Sequence, residues 1–170
     1  SIWTLTYDEI SQLDAGVRFN KKFRGEQIPK LEEVIAYAKG KINLNIEVKY
    51  NGHNQNIVKK VVKIIEDNDF VDQCVLTSMN YNLLRQAKKV NPDIKTGYTM
   101  KMSYGGLEDM DAADFFSVKY TYITESFVDN QGTNTDSKPF LVFRLNGEEK
   151  EIHYTEVSTG LLPAQSYYVV

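Results

Sequence analysis

The hydrophobic period of this chain switches repeatedly between two and 3.6 residues, and that switching restricts its folds more than any other feature. Ile42-Asn43-Leu44-Asn45-Ile46-Glu47-Val48-Lys49 alternates apolar with polar side chains, the period of a strand. A polar loop, Asn51, Gly52, His53 and Asn54, follows. Ile57, Val58, Val61, Val62, Ile64 and Ile65 then recur at helical spacing. Val75-Leu76-Thr77-Ser78 predicts a short strand, and Leu83, Leu84, Ala87 and Val90 a helix closed by Asn91-Pro92. Residues 95–100 and 114–118 predict two more strands, separated by at most a short helix over 107–113. Thr124 is placed to cap a helix beginning at Glu125. Strands alternating with helices make βαβ units and a parallel sheet.

Ahead of the first strand, Thr6-Tyr7-Asp8-Glu9 has the spacing of a capping box. The helix it starts is short, because Asp14-Ala15-Gly16 supplies a stop. A polar, basic loop covers residues 20–26. Pro29 then suits a helix entry, and Leu31, Val34, Ile35 and Ala38 share a face that ends at Gly40. The character changes at Asp129. Residues 130–138 are rich in Gly, Asn, Thr and Ser, the composition of a linker. After Pro139, Phe140-Leu141-Val142-Phe143-Arg144-Leu145 and residues 152–157 flank Asn146-Gly147, whose backbone accepts the positive φ of a two-residue hairpin turn. The expected organisation is an α/β unit over residues 1–128, a linker over 129–138 and an antiparallel β-hairpin tail over 139–170.

A chain of 170 residues is about one domain, and 42% apolar with 25% charged residues is ordinary for a globular protein. Its formal net charge of -3 gives no case for nucleic acid. Lys59, Lys60 and Lys63 alternate with apolar residues and read as the wet side of a helix. Cys74 is the single cysteine, which rules out an internal disulfide, and its apolar neighbours predict a buried, inert thiol. No apolar run approaches the roughly 18 residues of a membrane span. A chain that opens at Ser1 fits a trimmed, processed or incompletely read product, with any upstream anchor out of view.

Several phrases together resemble one family. They are Leu5-Thr6-Tyr7-Asp8-Glu9-Ile10 with Leu13-Asp14-Ala15-Gly16, Ile28-Pro29 with Leu31-Glu32-Glu33-Val34, and Asn45-Ile46-Glu47-Val48-Lys49. Val75-Leu76-Thr77-Ser78, Thr96-Gly97-Tyr98 and Asp114-Phe115-Phe116-Ser117-Val118 complete the set. In this order the chain resembles the glycerophosphodiester phosphodiesterase family in its Gram-positive form, where a membrane segment often precedes the barrel. The resemblance implies the middle of an eight-stranded (β/α) barrel. It also implies metal-assisted hydrolysis of a glycerophosphodiester to glycerol 3-phosphate and an alcohol. A calcium or magnesium ion would sit at the C-terminal mouth on hard oxygen ligands. Glu47 would be a carboxylate ligand and Lys49 a cation facing the phosphate; their equal strand parity puts both on one face near the C-terminal end, and outside the resemblance Glu-x-Lys reads as a solvent-exposed ion pair. In that family two histidines and two further carboxylates come from strands upstream of the matched region.

This chain has two histidines, His53 and His153. His53 follows Lys49 on the mouth side and is the one candidate for a replacement acid or base, against the alternative of an exposed loop histidine. His153 falls in the tail and matches nothing in the family. Two smaller departures stand beside this: Lys30 where relatives cap a helix with Thr, and Lys119 where many carry an acidic residue.

The expected architecture is therefore an incomplete (β/α) barrel of about four parallel strands plus a C-terminal antiparallel hairpin, opened into an α/β sheet. Self-association through its open edges is the second outcome. Three functions follow. The first is a portion of a metal-dependent glycerophosphodiesterase, inactive alone for want of histidines. The second is a non-catalytic module binding a phosphate ester or a partner. The third is a recombined or truncated chain without an evolved task. The compartment stays open between cytoplasmic and membrane-anchored.

Overall fold

The computed structural model describes residues 2–100, 109–119, 140–143 and 167–169. Helix α1 (Tyr7–Ser11) starts as its sequence directs: Thr6 Oγ1 accepts from Glu9 N–H at 3.3 Å, and Glu9 Oε2 accepts from Thr6 N–H at 2.7 Å. Helix α2 (Leu31–Ala38) begins at Lys30, which has no side-chain acceptor to offer. Glu33 compensates in part by accepting the Lys30 N–H at 2.7 Å. Gly40, at φ 74°, turns the chain out of α2 through the left-handed region.

Strand β1 (Asn43–Glu47), helix α3 (Ile57–Asp67), strand β2 (Cys74–Ser78), helix α4 (Tyr81–Val90) and strand β3 (Lys95–Met100) follow in the expected alternation. Strand β4 (Phe115–Lys119) comes next; of the segment 107–113 the described part is a 3-10 residue at Asp109 followed by a turn. Neighbouring strands from β1 to β4 are parallel, with Glu47 opposite Thr77, Thr77 opposite Gly97 and Gly97 opposite Phe115.

That register assigns two faces. Leu44, Ile46, Val48, Cys74, Leu76 and Phe116 join one apolar cluster with Ile35, Val58, Val62, Ile65, Leu84 and Ala87 from the helices. Val58, Val62 and Ile65 are fully buried, one stripe of α3 at helical spacing. The lysines of α3 lie on its wet side, and Lys63 pairs with Asp67 one turn on at 2.8 Å. The opposite, inner face carries Asn45, Glu47, Val75, Thr77, Gly97, Phe115 and Ser117. It is packed as well: a side chain at Gly97 would run into the Phe115 ring, so glycine there lets the phenyl group lie over the strand.

The described tail strands run parallel to their neighbours in the sheet. Strand β5 (Phe140–Phe143) pairs parallel to β4, and strand β6 (Tyr167–Val169) pairs parallel to β1. The sheet therefore has six strands in the order β5-β4-β3-β2-β1-β6, where sequence reading expected about four plus a hairpin. An arc of parallel strands ends in rows of unpaired N–H and C=O groups, and tail segments that hydrogen-bond to both edges satisfy them. The Asn146-Gly147 turn, its second strand at 152–157, the linker and the helix expected at Glu125 lie outside the described residues.

Candidate functional site

In a parallel sheet the C-terminal ends of the strands form one rim, and Glu47 is the last residue of β1 on that rim. Its side chain is 19% exposed. Val48 turns the other way into the core, fixed by its N–H donating to Thr77 C=O at 2.8 Å and its C=O accepting from Ser78 Oγ at 2.7 Å. Lys49 is thereby returned to the side of Glu47, and its Nζ lies 3.1 Å from Glu47 Oε2 with the side chain 78% exposed. The shared face expected from their spacing is present as an ion pair.

Below the pair, Asn45 and Thr77 are buried, and Thr77 Oγ1 donates to Asn45 Oδ1 at 2.7 Å. That bond stiffens the strands carrying Glu47 and commits the Asn45 oxygen to structure. Sequence reading took Asn45 only as part of a motif. Its alternation with Leu44 and Ile46 was the available sign that it faces the polar side.

His53 lies in the loop after Lys49, where Asn51 Oδ1 accepts the His53 N–H at 3.1 Å and Gly52 takes φ 89°. Its ring stacks on Trp3, with centroids 4.6 Å apart and planes within 9°. Both residues are exposed. The histidine is thus tied to the N-terminal 3-10 turn, Ile2–Thr4, a contact that sequence spacing gives no means to foresee. His153 lies outside the described residues.

Among the described residues no three His, Cys, Asp or Glu side chains come together as a metal centre. Calcium takes six to eight oxygen ligands and magnesium an octahedron. Glu47 alone, already paired with Lys49, does not fit either. Cys74 is no alternative nucleophile, since burial pushes its thiol up to about 12.

The model of the Glycerophosphoryl diester phosphodiesterase family matches residues 1–147, which includes β5. A glycerophosphodiester phosphodiesterase of Caldanaerobacter subterraneus subsp. tengcongensis is 40% identical over 98 residues, covering 54% of this chain and 39% of the relative. The structure of an Oleispira antarctica phosphodiesterase, solved with the product sn-glycerol-3-phosphate, matches with 25% identity and a TM-score of 0.72. That match covers 86% of this chain and 61% of the other. A glycerophosphodiester phosphodiesterase from Parabacteroides distasonis has the same fold, with a TM-score of 0.67 at 18% identity over 84% of this chain and 59% of the other. The chain thus spans about two fifths of the length of the first of these relatives and about three fifths of the other two. It belongs to the glycerophosphoryl diester phosphodiesterase family.

Proposed function

We propose that the mouth around Glu47 and Lys49 recognises a phosphate ester of glycerol, and that this chain by itself does not hydrolyse it. The observation that carries the reading is the Glu47–Lys49 pair on the rim. Lys49 offers an exposed ammonium to phosphoryl oxygens, while Glu47 keeps acceptor capacity for a glycerol hydroxyl. The product bound in the Oleispira antarctica relative supports a ligand of this class. A calcium or magnesium ion of the kind the family resemblance implies would need oxygen ligands besides Glu47, so phosphate recognition is assigned here to Lys49.

Hydrolysis asks more. One group must activate or deliver the nucleophile and another must protonate the leaving alkoxide. The one described histidine, His53, has its ring face on Trp3. A glutamate and a lysine paired with each other do not divide those two tasks. Self-association through the outer edges of β5 and β6 is a further part of the proposal, because those strands end the sheet among the described residues. Sedimentation velocity over a range of concentrations reads it directly.

The test is a titration of the chain with sn-glycerol 3-phosphate, followed by NMR, and a separate incubation with glycerophosphocholine plus calcium or magnesium. Weak, roughly millimolar binding that is lost in Lys49→Ala, without release of glycerol 3-phosphate, is expected. Turnover abolished by Glu47→Ala would sink the inactivity. Binding unchanged in Lys49→Ala would sink the site.

A further inference from the structure

Residues 14–26 form a loop whose neck is clamped twice. The Asp14 carboxylate accepts from the backbone N–H of Gly16 at 2.9 Å, Val17 at 2.8 Å and Gly25 at 2.9 Å. Ala15 N–H donates across the neck to the Glu26 carbonyl at 2.8 Å. Inside the loop, Gly16 lies so close to Phe23 that a side chain there would strike the Phe23 backbone. Asn20 Oδ1 accepts from Lys22 N–H at 3.0 Å and caps the 3-10 turn Lys21–Phe23. Four independent devices hold this loop in one shape.

Its display is the unusual part. Phe19 is 84% exposed, more than any other large apolar residue described. Arg18, Lys21, Lys22 and Arg24 lie within five residues of it, and residues 15–25 contain no Asp or Glu. None of the four cations enters a salt bridge among the described residues. Lys22 Nζ instead lies 4.7 Å from the Phe23 ring, which is 5.8 Å from that of Phe19. Outside residues 15–25 the chain has seven more acidic than basic side chains, so the loop is a positive outpost on a negative protein.

One exposed ring by itself means little. A clamped loop that combines an exposed ring with a ring of cations matches a surface that is apolar beneath and anionic on top. A lipid interface has that layering, since aromatic side chains enter the headgroup–acyl boundary while Lys and Arg meet the phosphates. A nucleic acid would ask for a longer cationic track than this short loop supplies. We propose that residues 14–26 dock the protein on an anionic lipid surface, with Phe19 inserted and Arg18, Lys21, Lys22 and Arg24 against lipid phosphates. The inference uses no group of the Glu47–Lys49 mouth and holds whether or not that mouth binds an ester.

The test is co-sedimentation of the full chain with vesicles of phosphatidylcholine alone and of phosphatidylcholine mixed with phosphatidylglycerol. The chain pellets with the anionic vesicles at low salt, stays in solution with the neutral ones, and is released near molar salt. Lys21→Ala with Lys22→Ala lowers the partition coefficient about 25-fold, from roughly fivefold per cation. Phe19→Ala lowers it about tenfold. Thermal melts matching the parent chain show that both variants fold. Equal recovery on neutral and anionic vesicles overturns the proposal, as does full binding by Phe19→Ala. Capture by heparin that equals vesicle binding and ignores Phe19 would also overturn it, in favour of a general polyanion loop.

Discussion

Two lysine–carboxylate pairs stand at opposite ends of the same sheet, and their surroundings give them different work. At the foot, Lys88 Nζ lies 2.7 Å from Asp114 Oδ2, with side chains 22% and 34% exposed. That oxygen also accepts from the Thr96 N–H at 2.7 Å, Thr96 Oγ1 donates to Ala112 C=O at 2.7 Å, and Lys88 donates to Pro92 C=O at 3.2 Å. At the rim, Glu47 has only Lys49 among the described residues. A carboxylate oxygen held by a buried N–H and a half-buried ammonium is part of the framework. One whose single partner is an exposed lysine can trade that partner, and water, for a ligand at small cost. The chemistry of the two pairs is the same, and the occupancy of the acceptor oxygens separates structure from site.

The largest expected effect breaks the foot. Asp114→Ala strips the acceptor from the N–H of Thr96, a fully buried residue, and should destabilise the fold by about 2 kcal/mol. Urea denaturation measures it, and a change below about 0.5 kcal/mol would erase the distinction between foot and rim. The next concerns Cys74, which opens β2 at that same foot. Burial raises its thiol from the ordinary 9.0 to about 12, with Asp72 adding to the shift. A group raised in the folded state contributes its full stability below 9.0 and loses it as pH climbs towards about 12. Cys74→Ala should therefore flatten the fall of the urea midpoint over that alkaline window, and an unchanged slope would count against a buried thiol. The smallest effect belongs to the rim. Glu47→Gln should leave the unfolding free energy within about 0.5 kcal/mol of the parent while altering glycerol 3-phosphate binding. A loss as large as that of Asp114→Ala would make Glu47 a framework residue.

Local pattern carried much of the fold. The capping box at Thr6 and Glu9, the turn at Gly40, the apolar stripe of α3 and the order β1–α3–β2–α4–β3 all follow from spacing and from side-chain chemistry within a few residues. Glu47 and Lys49 were legible as a pair because alternate residues of an extended strand face the same way. The Trp3–His53 stack and the Thr77–Asn45 hydrogen bond were not, since each joins residues separated by many positions with no periodic relation. The knot of Lys88, Thr96 and Asp114 was hidden for the same reason.

The tail shows where sequence stops. Phe140–Phe143 reads as a strand from its own residues, but its neighbour is not written in them. An unpaired parallel edge offers a full row of hydrogen bonds to any strand that reaches it. Here β5 takes the free edge of β4 and β6 that of β1. Sequence by itself determined which segments become strands and helices, and which side chains could do chemistry, because those choices rest on torsion preferences and on spacing along the chain. The tertiary structure alone decided the partners of the outer strand edges and of carboxylates such as Asp114, because those hydrogen bonds go to donors near in space but far along the chain.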